Sequence, residues 1–290
     1  MTSATANGIS IEYETFGDPG APPVLLIMGL GGQLTAWDPD FCRALAAAGF
    51  YVTRYDNRDV GLSTWFDDAG DPDIGALLTG TTSSPYAITD LAADAAGLLD
   101  ALGIASAHIV GVSMGGMIAQ TFAIDFPERT RTLVSIMSTT GDPTVGQPHP
   151  DALATLMVPP ATSREEAIEQ SVTTWRVIGS TGFPFDEDRV REQAATDYER
   201  GFHPAGTARQ LAAIITQPDR TKELSVLDVP ALVIHGERDA AIPVDRARRL
   251  ATGLPGARPL VLVPGAGHAA NLSHPDEVNA AVASFLGELA

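Results

Sequence analysis

The sequence predicts an α/β protein built on a mostly parallel, doubly wound sheet with an inserted helical segment. Short runs rich in Val, Ile and Leu alternate with helical patterns along most of the 290 residues. Continuous apolar runs are typical of parallel strands that are buried on both faces. The alternation of strands and helices indicates that helices cover both faces of the sheet. Between about residues 140 and 228 the alternation stops and helical patterns follow one another.

The first half of the chain contains five predicted strands. Residues 9–16 alternate in polarity and end at Gly-Asp-Pro-Gly, which predicts an antiparallel edge strand. The other four are apolar runs at residues 23–28, 51–56, 108–112 and 132–137. Helices are predicted at 39–48, from Thr89 or Asp90 to the stop at Gly103, and directly after Ser113. A surface loop is predicted at about 67–85, where Gly, Asp, Thr and Ser are frequent.

In the second half, helical patterns at residues 163–178, 186–200 and 204–216 precede the next strand. This stretch is too long for a simple connection and indicates an insertion with a function. Strands at 231–235 and 259–263 then alternate with helices at 244–254 and 276–289. The predicted domains are a core of residues 1–139 and 229–290 and a helical insertion of residues 140–228.

The composition limits the partners that the protein can have. Acidic residues outnumber basic ones by 36 to 18, and the net charge of −18 argues against nucleic acid and anionic membrane surfaces. Cys42 is the only cysteine, so we expect neither disulfides nor a cysteine-based metal site. The sequence shows no signal peptide and no apolar run of about 18 residues, which predicts a cytoplasmic protein.

The most informative stretch is Gly111-Val112-Ser113-Met114-Gly115, at the junction of a predicted strand and a predicted helix. A serine between two glycines at such a junction is the pattern of a nucleophile elbow. The tight turn excludes larger flanking side chains and directs the serine hydroxyl outward, beside the positive end of a helix. The alternative is a glycine-rich turn with a solvated serine, but the strand before it and the helix after it favour the elbow.

A serine hydroxyl barely ionises at neutral pH, so it needs a histidine to accept its proton. Of six histidines, His268 directly follows the last predicted strand and is best placed, although it can also be read as a loop histidine bonded to the backbone. His108 starts a strand, and His235 precedes the turn that carries the acid. His149 and His203 lie in the insertion, and His274 begins the last helix.

The histidine in turn needs a carboxylate that fixes its tautomer and stabilises its charged form. Glu237 and Asp239 both follow the strand predicted at 231–235. Asp239 is the preferred acid because it lies at the tip of the turn, directly before residues 240–243. Glu237 is its rival.

The attacked carbonyl develops an oxyanion, which requires two preorganised N–H groups. One is expected from Met114, the residue after the proposed nucleophile. The other is expected from Leu30 in the glycine-rich turn at residues 29–32, after the second predicted strand. The alternative for this turn is an ordinary flexible loop.

In their chain order, Ser113, Asp239 and His268 resemble the catalytic triad of the α/β-hydrolase superfamily. Residues 56–63, 111–116 and 235–239 also match, and the resemblance covers all but the first few residues. It implies the α/β-hydrolase fold, in which residues 140–228 form a helical cap over the active site.

The chain departs from many of these relatives at Met28, where a histidine usually precedes the oxyanion glycine. That position supports the structure, so we expect catalysis to tolerate the change. A serine at the elbow disfavours the epoxide hydrolase and dehalogenase branches, which use aspartate there. Residues 27–29 and 174–186 look like the anthracycline (aclacinomycin) methylesterases of polyketide biosynthesis.

The sequence therefore predicts a serine hydrolase, free of cofactor and metal, that cleaves a small apolar carboxylic ester through an acyl-enzyme. A methyl ester of a polyketide-like substrate fits the narrower resemblance. Related serine chemistry (carbon–carbon bond hydrolysis, lactone opening or perhydrolysis) and a non-catalytic ligand receptor are the alternatives. The cap is expected to close over Ser113 and set substrate choice without taking part in bond breaking. Its candidate pocket residues are Met157, Trp175, Phe183 and Phe185.

Overall fold

The computed structural model describes residues 2–269 and 275–289. One sheet contains all the strands of these ranges. The strands are β1 (Thr2–Ala6), β2 (Ile9–Phe16), β3 (Pro23–Ile27), β4 (Tyr51–Tyr55), β5 (Ala107–Val112), β6 (Thr130–Ile136), β7 (Ala231–Gly236) and β8 (Val261–Val263). Their order in the sheet is β1-β2-β4-β3-β5-β6-β7-β8.

Helices connect most of the strands. They are α1 (Pro39–Ala47), α2 (Ile74–Leu78), α3 (Ile88–Ala101), α4 (Met114–Asp125), α5 (Pro150–Leu156), α6 (Arg164–Ile178), α7 (Glu187–Gly201), α8 (Pro204–Ile215), α9 (Thr221–Leu224), α10 (Val244–Gly253) and α11 (Pro275–Gly287). Helices α5 to α9 all lie between β6 and β7. No helix in the described ranges is long and apolar enough to cross a membrane.

The sheet is antiparallel at one edge and parallel elsewhere. β1 pairs with β2 and β2 with β4 in antiparallel orientation, and every other neighbouring pair is parallel. The parallel strands therefore all end at the same edge, where ligand sites of open α/β sheets form. Both faces are covered: α3, α4 and α10 contribute to one apolar cluster, and α1 and α11 to the other. The predicted doubly wound sheet is confirmed.

Some elements differ from their predictions. β1 was not predicted, because its small and polar residues show no pattern of their own; pairing with β2 and packing on α3 create it. α2 forms inside the predicted loop at 67–85, and its first turn is capped by the Asp73 carboxylate, which accepts from the Ala76 N–H. α3 begins at Ile88, so Asp90 accepts from the Ala87 N–H rather than capping the helix itself. α5 and α9 are additional helices of the 140–228 segment.

Two buried ion pairs attach the helices between β6 and β7 to the sheet. Arg209 on α8 makes paired hydrogen bonds of 2.9 and 2.8 Å to Asp59, which follows β4. Burial alone would raise the pKa of Asp59, but the bonds from Arg209 and its other donors hold that pKa below its ordinary value. Arg200 on α7 donates to Asp56 Oδ2 at 2.7 Å. Removing one partner of such a pair leaves an unpaired buried charge, which is strongly destabilising.

Candidate active site

Ser113 lies in a strained turn between β5 and α4. Its φ of 56° is in the left-handed region, which a residue with a side chain rarely adopts. A Cβ at Gly111 would overlap the Gly115 carbonyl, and a Cβ at Gly115 would overlap the carbonyl of Ile27 in β3. Both glycines of the motif are therefore required by close backbone packing, as the elbow interpretation predicts.

The backbone of Ser113 is held by the sheet itself. Its N–H donates to the Ile136 carbonyl at the end of β6 at 2.9 Å. Its carbonyl accepts from the Ser138 hydroxyl at 2.8 Å, a contact that the sequence did not predict. These bonds fix the backbone of the turn from both sides.

The structure brings Ser113, His268 and Asp239 together in one hydrogen-bonded series. Ser113 Oγ lies 2.9 Å from His268 Nε2, and His268 Nδ1 lies 2.7 Å from Asp239 Oδ2. Because an ionised carboxylate only accepts, Nδ1 carries the proton and Nε2 is left to accept from the serine. Both Asp239 and His268 are buried. The rival acid, Glu237, is exposed on the same turn.

The turn after β7 holds the Asp239 carboxylate in one orientation. Its Oδ1 accepts from the N–H groups of Ala241 and Ile242 at 2.9 and 2.8 Å, which leaves Oδ2 for His268. The sequence does not favour His235 as the base, and in the structure this histidine supports the turn after β7. Burial lowers the pKa of His235, and the neutral ring donates from Nε2 to the Ile242 carbonyl at 2.7 Å.

The glycine-rich turn after β3 lies against the elbow. The Gly32 N–H donates to the Gly29 carbonyl at 3.1 Å, which closes a four-residue turn with Gly31 at φ 65°. A Cβ placed on Gly29 would lie 3.1 Å from the Cβ of Ser113, so the turn approaches the hydroxyl closely. Within the described part of the chain, the Leu30 N–H donates no hydrogen bond.

The N–H of Met114 is the second predicted oxyanion donor. It belongs to the first turn of α4, where N–H groups have no partner within the helix, and it donates to no other described residue. Met28 is buried in the core, and its carbonyl accepts from the Asn57 side chain at 3.0 Å. The expectation that catalysis tolerates methionine at this position stays a prediction.

The loop that carries His268 is bonded to the segment that follows α6. The His268 N–H donates to the Ile178 carbonyl at 2.8 Å. The Gly267 N–H donates to the Ser180 hydroxyl at 3.0 Å, and the Gly182 N–H donates to the Gly265 carbonyl at 2.9 Å. We call residues 178–182 the histidine strap.

The four predicted pocket residues have different environments. Phe183 is partly buried next to Gly265 in the histidine loop, and Trp175 is partly buried on the last turns of α6. Met157 is 61% exposed after α5, and Phe185 is 38% exposed beneath the guanidinium of Arg176. Their role in a pocket stays a prediction.

The other histidines of the described residues have partners elsewhere in the fold. His108 is buried in β5 beside Thr132, and burial lowers its pKa to about 4, so it is neutral. His203 stacks on Trp65 with ring centroids 4.0 Å apart, and His149 precedes α5. The predicted position of His274 lies outside the described residues. Across those residues, no three His, Cys, Asp or Glu side chains form a group that could hold a metal ion.

The chain belongs to the alpha/beta hydrolase fold family, whose sequence profile matches residues 22–275. It is similar to the rhodomycin D methylesterase DauP of Streptomyces sp. (strain C5), with 35% identity over 96% of this chain and 95% of that protein. It is also similar to the 2-hydroxy-6-oxononadienedioate/2-hydroxy-6-oxononatrienedioate hydrolase of Burkholderia vietnamiensis (strain G4 / LMG 22486), with 31% identity over 96% of this chain and 91% of that one.

Among solved structures, the enol-lactonase from Burkholderia xenovorans LB400 matches with a TM-score of 0.74 and 26% identity. The match covers 98% of this chain and 99% of that chain. Relatives named as esterase, hydrolase and lactonase confirm, at the level of class, the prediction of an α/β-hydrolase-fold carboxylic ester hydrolase.

Proposed function

We propose that the protein cleaves a carboxylic ester through an acyl-enzyme formed on Ser113. His268 Nε2 takes the proton of Ser113 as the serine oxygen attacks the ester carbonyl carbon, and Asp239 stabilises the resulting imidazolium. The observation that carries this proposal is the unbroken series of hydrogen bonds from the Ser113 hydroxyl through His268 to the Asp239 carboxylate.

The N–H groups of Leu30 and Met114 bind the oxyanion in this mechanism. Both N–H groups flank Ser113 and donate to no other described residue, which supports this role. Removing one such donor typically costs on the order of 10² to 10³ in kcat.

In the remaining steps His268 first donates this proton to the leaving group and then accepts a proton from water. The imidazolium gives its proton to the leaving alkoxide, the carbon–oxygen bond breaks, and the acyl group stays on Ser113. A water molecule loses a proton to His268 as it attacks the acyl carbonyl. The acid leaves, and the Ser113 oxygen takes the proton back, so the enzyme returns to its starting state.

Residues 140–228 form the cap in this proposal. The histidine strap brings the end of α6 next to His268, and Phe183 lies beside the histidine loop, which supports a position above the reacting ester. Trp175 and Phe183 would line the inner pocket, whereas the exposed Met157 and Phe185 would contact a substrate at its outer rim.

For the substrate, we propose a methyl ester of a bulky, polyketide-like acid. The similarity to the rhodomycin D methylesterases of two Streptomyces strains, at 35% and 33% identity along nearly the whole chain, supports this choice. Carbon–carbon bond hydrolysis is the second candidate, because a hydrolase of the 2-hydroxy-6-oxononadienedioate type is 31% identical.

Two measurements test the proposal. A fluorophosphonate should add one phosphonyl group to the wild-type protein, located on Ser113 by peptide mass spectrometry, and none to Ser113→Ala. Methyl esters of polycyclic aromatic acids, a lactone and a 2-hydroxy-6-oxo-dienoate should then be compared by kcat/KM. Preference for the methyl esters supports the proposed substrate. Preference for the dienoate favours the second candidate, and labelling elsewhere contradicts the proposed nucleophile.

A further inference from the structure

Gln210 is a fully buried residue of α8 that contacts the turn carrying Leu30. Its Oε1 accepts from the Gly31 N–H at 2.8 Å, and its Nε2 donates to the Arg58 carbonyl at 2.8 Å. An N–H can bond only to the amide oxygen, and a carbonyl only to the amide nitrogen. The two backbone partners therefore define a single orientation of the Gln210 amide.

The Arg58 end of this bridge is fixed to the core. The Arg58 guanidinium makes hydrogen bonds of 2.6 and 2.7 Å to Asp94 on α3, and both side chains are buried. Gln210 itself follows Arg209, whose paired bonds to Asp59 hold α8 on the sheet. The amide thus acts as a short rigid link between the core and the Gly31 N–H.

That link restrains the peptide groups around Leu30. The peptide between Gly29 and Leu30 is planar, so the bond from the Gly32 N–H to the Gly29 carbonyl also sets the direction of the Leu30 N–H. The next peptide carries the Gly31 N–H, and in a four-residue turn this middle peptide can rotate between two turn types. The bond to Gln210 holds this middle peptide in the form in which Gly31 has a positive φ, and through Arg58 it anchors the turn to the core.

We propose that Gln210 is a positioning residue that anchors the oxyanion turn to the core and so keeps the Leu30 N–H in place beside Ser113. The inference rests on the proposed function, in which Leu30 supplies that N–H. Gln210 does not touch the reacting atoms. It acts through Gly31, and it makes the geometry of the oxyanion turn depend on the docking of α8.

The test compares Gln210→Met with Gln217→Met. Methionine keeps the length and the apolar stem but removes both hydrogen bonds. Gln217 follows α8, and its amide contacts Ile214, Met117 and Arg220 instead of the oxyanion turn. We expect Gln210→Met to lower kcat on a p-nitrophenyl ester on the order of tenfold, with KM changed less than twofold. This loss is smaller than that for deleting a donor, because the Leu30 N–H is displaced and not removed.

A trifluoromethyl ketone, whose adduct with a serine bears an oxyanion, gives a second readout. Its inhibition constant should rise in Gln210→Met by the same factor as kcat/KM falls, whereas a product carboxylate should bind as in the wild type. Gln210→Glu keeps an acceptor for the Gly31 N–H and should recover part of the lost kcat. Gln217→Met should leave kcat and both inhibition constants within a factor of two.

Equal losses in Gln210→Met and Gln217→Met, or a kcat of Gln210→Met within twofold of the wild type, overturn the inference. Failure of the proposed function gives a different result: the wild-type protein would show no labelling of Ser113 by a fluorophosphonate. If Gln210→Met does not fold, Gln210→Glu carries the test alone, and a kcat loss without weaker ketone binding overturns the inference.

Discussion

The elbow and the histidine loop are held by different parts of the chain. The elbow is fixed by the sheet: Ser113 bonds to Ile136 and Ser138, and Gly115 packs against the carbonyl of Ile27. The histidine loop at residues 264–268 is bonded both to the turn after β7, where the Arg238 N–H donates to the Ala266 carbonyl at 2.8 Å, and to the strap at 178–182, which belongs to the segment between β6 and β7. The proposed nucleophile therefore depends on the core, and the proposed base depends on both the core and the insertion.

This difference changes the role expected of the insertion. The sequence predicted a lid that chooses the substrate and leaves bond breaking unaffected. Its contacts with the backbone of His268 and Gly31 count against so narrow a role. In the proposed mechanism, His268 activates Ser113 and the oxyanion turn binds the carbonyl oxygen, so a segment that contacts both affects the rate for every substrate.

The largest effect on kcat is expected for a substitution in the elbow, which the core holds. Ser113→Ala should lower kcat on the order of 10⁶-fold, since the residues of a triad act as a unit. The fold should persist, because the substitution removes only the hydroxyl and leaves the glycine packing of the elbow intact. Burst kinetics and thermal unfolding measure the two effects. Turnover above about one percent of wild type would contradict the assignment of the nucleophile.

The second largest effect on kcat is expected for Asp239, and it distinguishes Asp239 from Glu237 as the acid. Asp239→Asn should lower kcat roughly 10⁴-fold, because an amide favours the wrong tautomer of His268. Glu237→Gln is the matched control: its side chain is exposed, so we expect kcat within twofold of wild type. Steady-state kinetics on a p-nitrophenyl ester measure both, and the reverse order would identify Glu237 as the acid.

The sequence was sufficient to predict the arrangement of Ser113, Asp239 and His268 because each follows a strand. Parallel strands end at one edge of the sheet, so local patterns alone bring these three side chains to the same place. The two glycines beside Ser113 are also a local requirement, since each is packed against backbone.

The supporting contacts were not predictable in this way. The bond from Gly31 to Gln210 joins residues 179 positions apart, and a glutamine on a helix has no pattern that reveals its partner. The strap likewise meets the histidine loop through backbone groups of Ile178 and Gly182 and one serine hydroxyl, and no local sequence pattern reveals such partners. β1 shows the same limit, because its strand form depends on β2 rather than on its own residues.

A smaller effect is expected where the insertion meets the histidine loop. A Cβ at Gly267 would overlap the Gly179 carbonyl, so Gly267→Ala should push the strap away and weaken the bond from the His268 N–H to Ile178. Losing a bond of about 1 kcal/mol corresponds to roughly a fivefold decrease in kcat/KM. The rate of fluorophosphonate labelling should fall with it.

Gly253→Ala is the control for this substitution. Gly253 ends α10, and a Cβ there meets no atom within 4 Å. We expect its labelling rate and kcat/KM to match wild type. If Gly267→Ala labels at the wild-type rate, the strap does not position His268.

The smallest effect should appear within the insertion itself, as a change of preference between substrates. Trp175 is partly buried on α6, one turn before Ile178, so the two share a helix face near the histidine loop. Each methylene of substrate that loses its apolar contact costs about 0.8 kcal/mol, roughly fourfold in binding. Trp175→Ala should therefore lower kcat/KM for bulky methyl esters several-fold relative to acetate esters, while labelling by a small fluorophosphonate changes less than twofold. Val226→Ala, at an 80% exposed position of the same insertion, should change neither. Unaltered ester preference together with lost labelling would show that Trp175 supports the strap instead of the pocket.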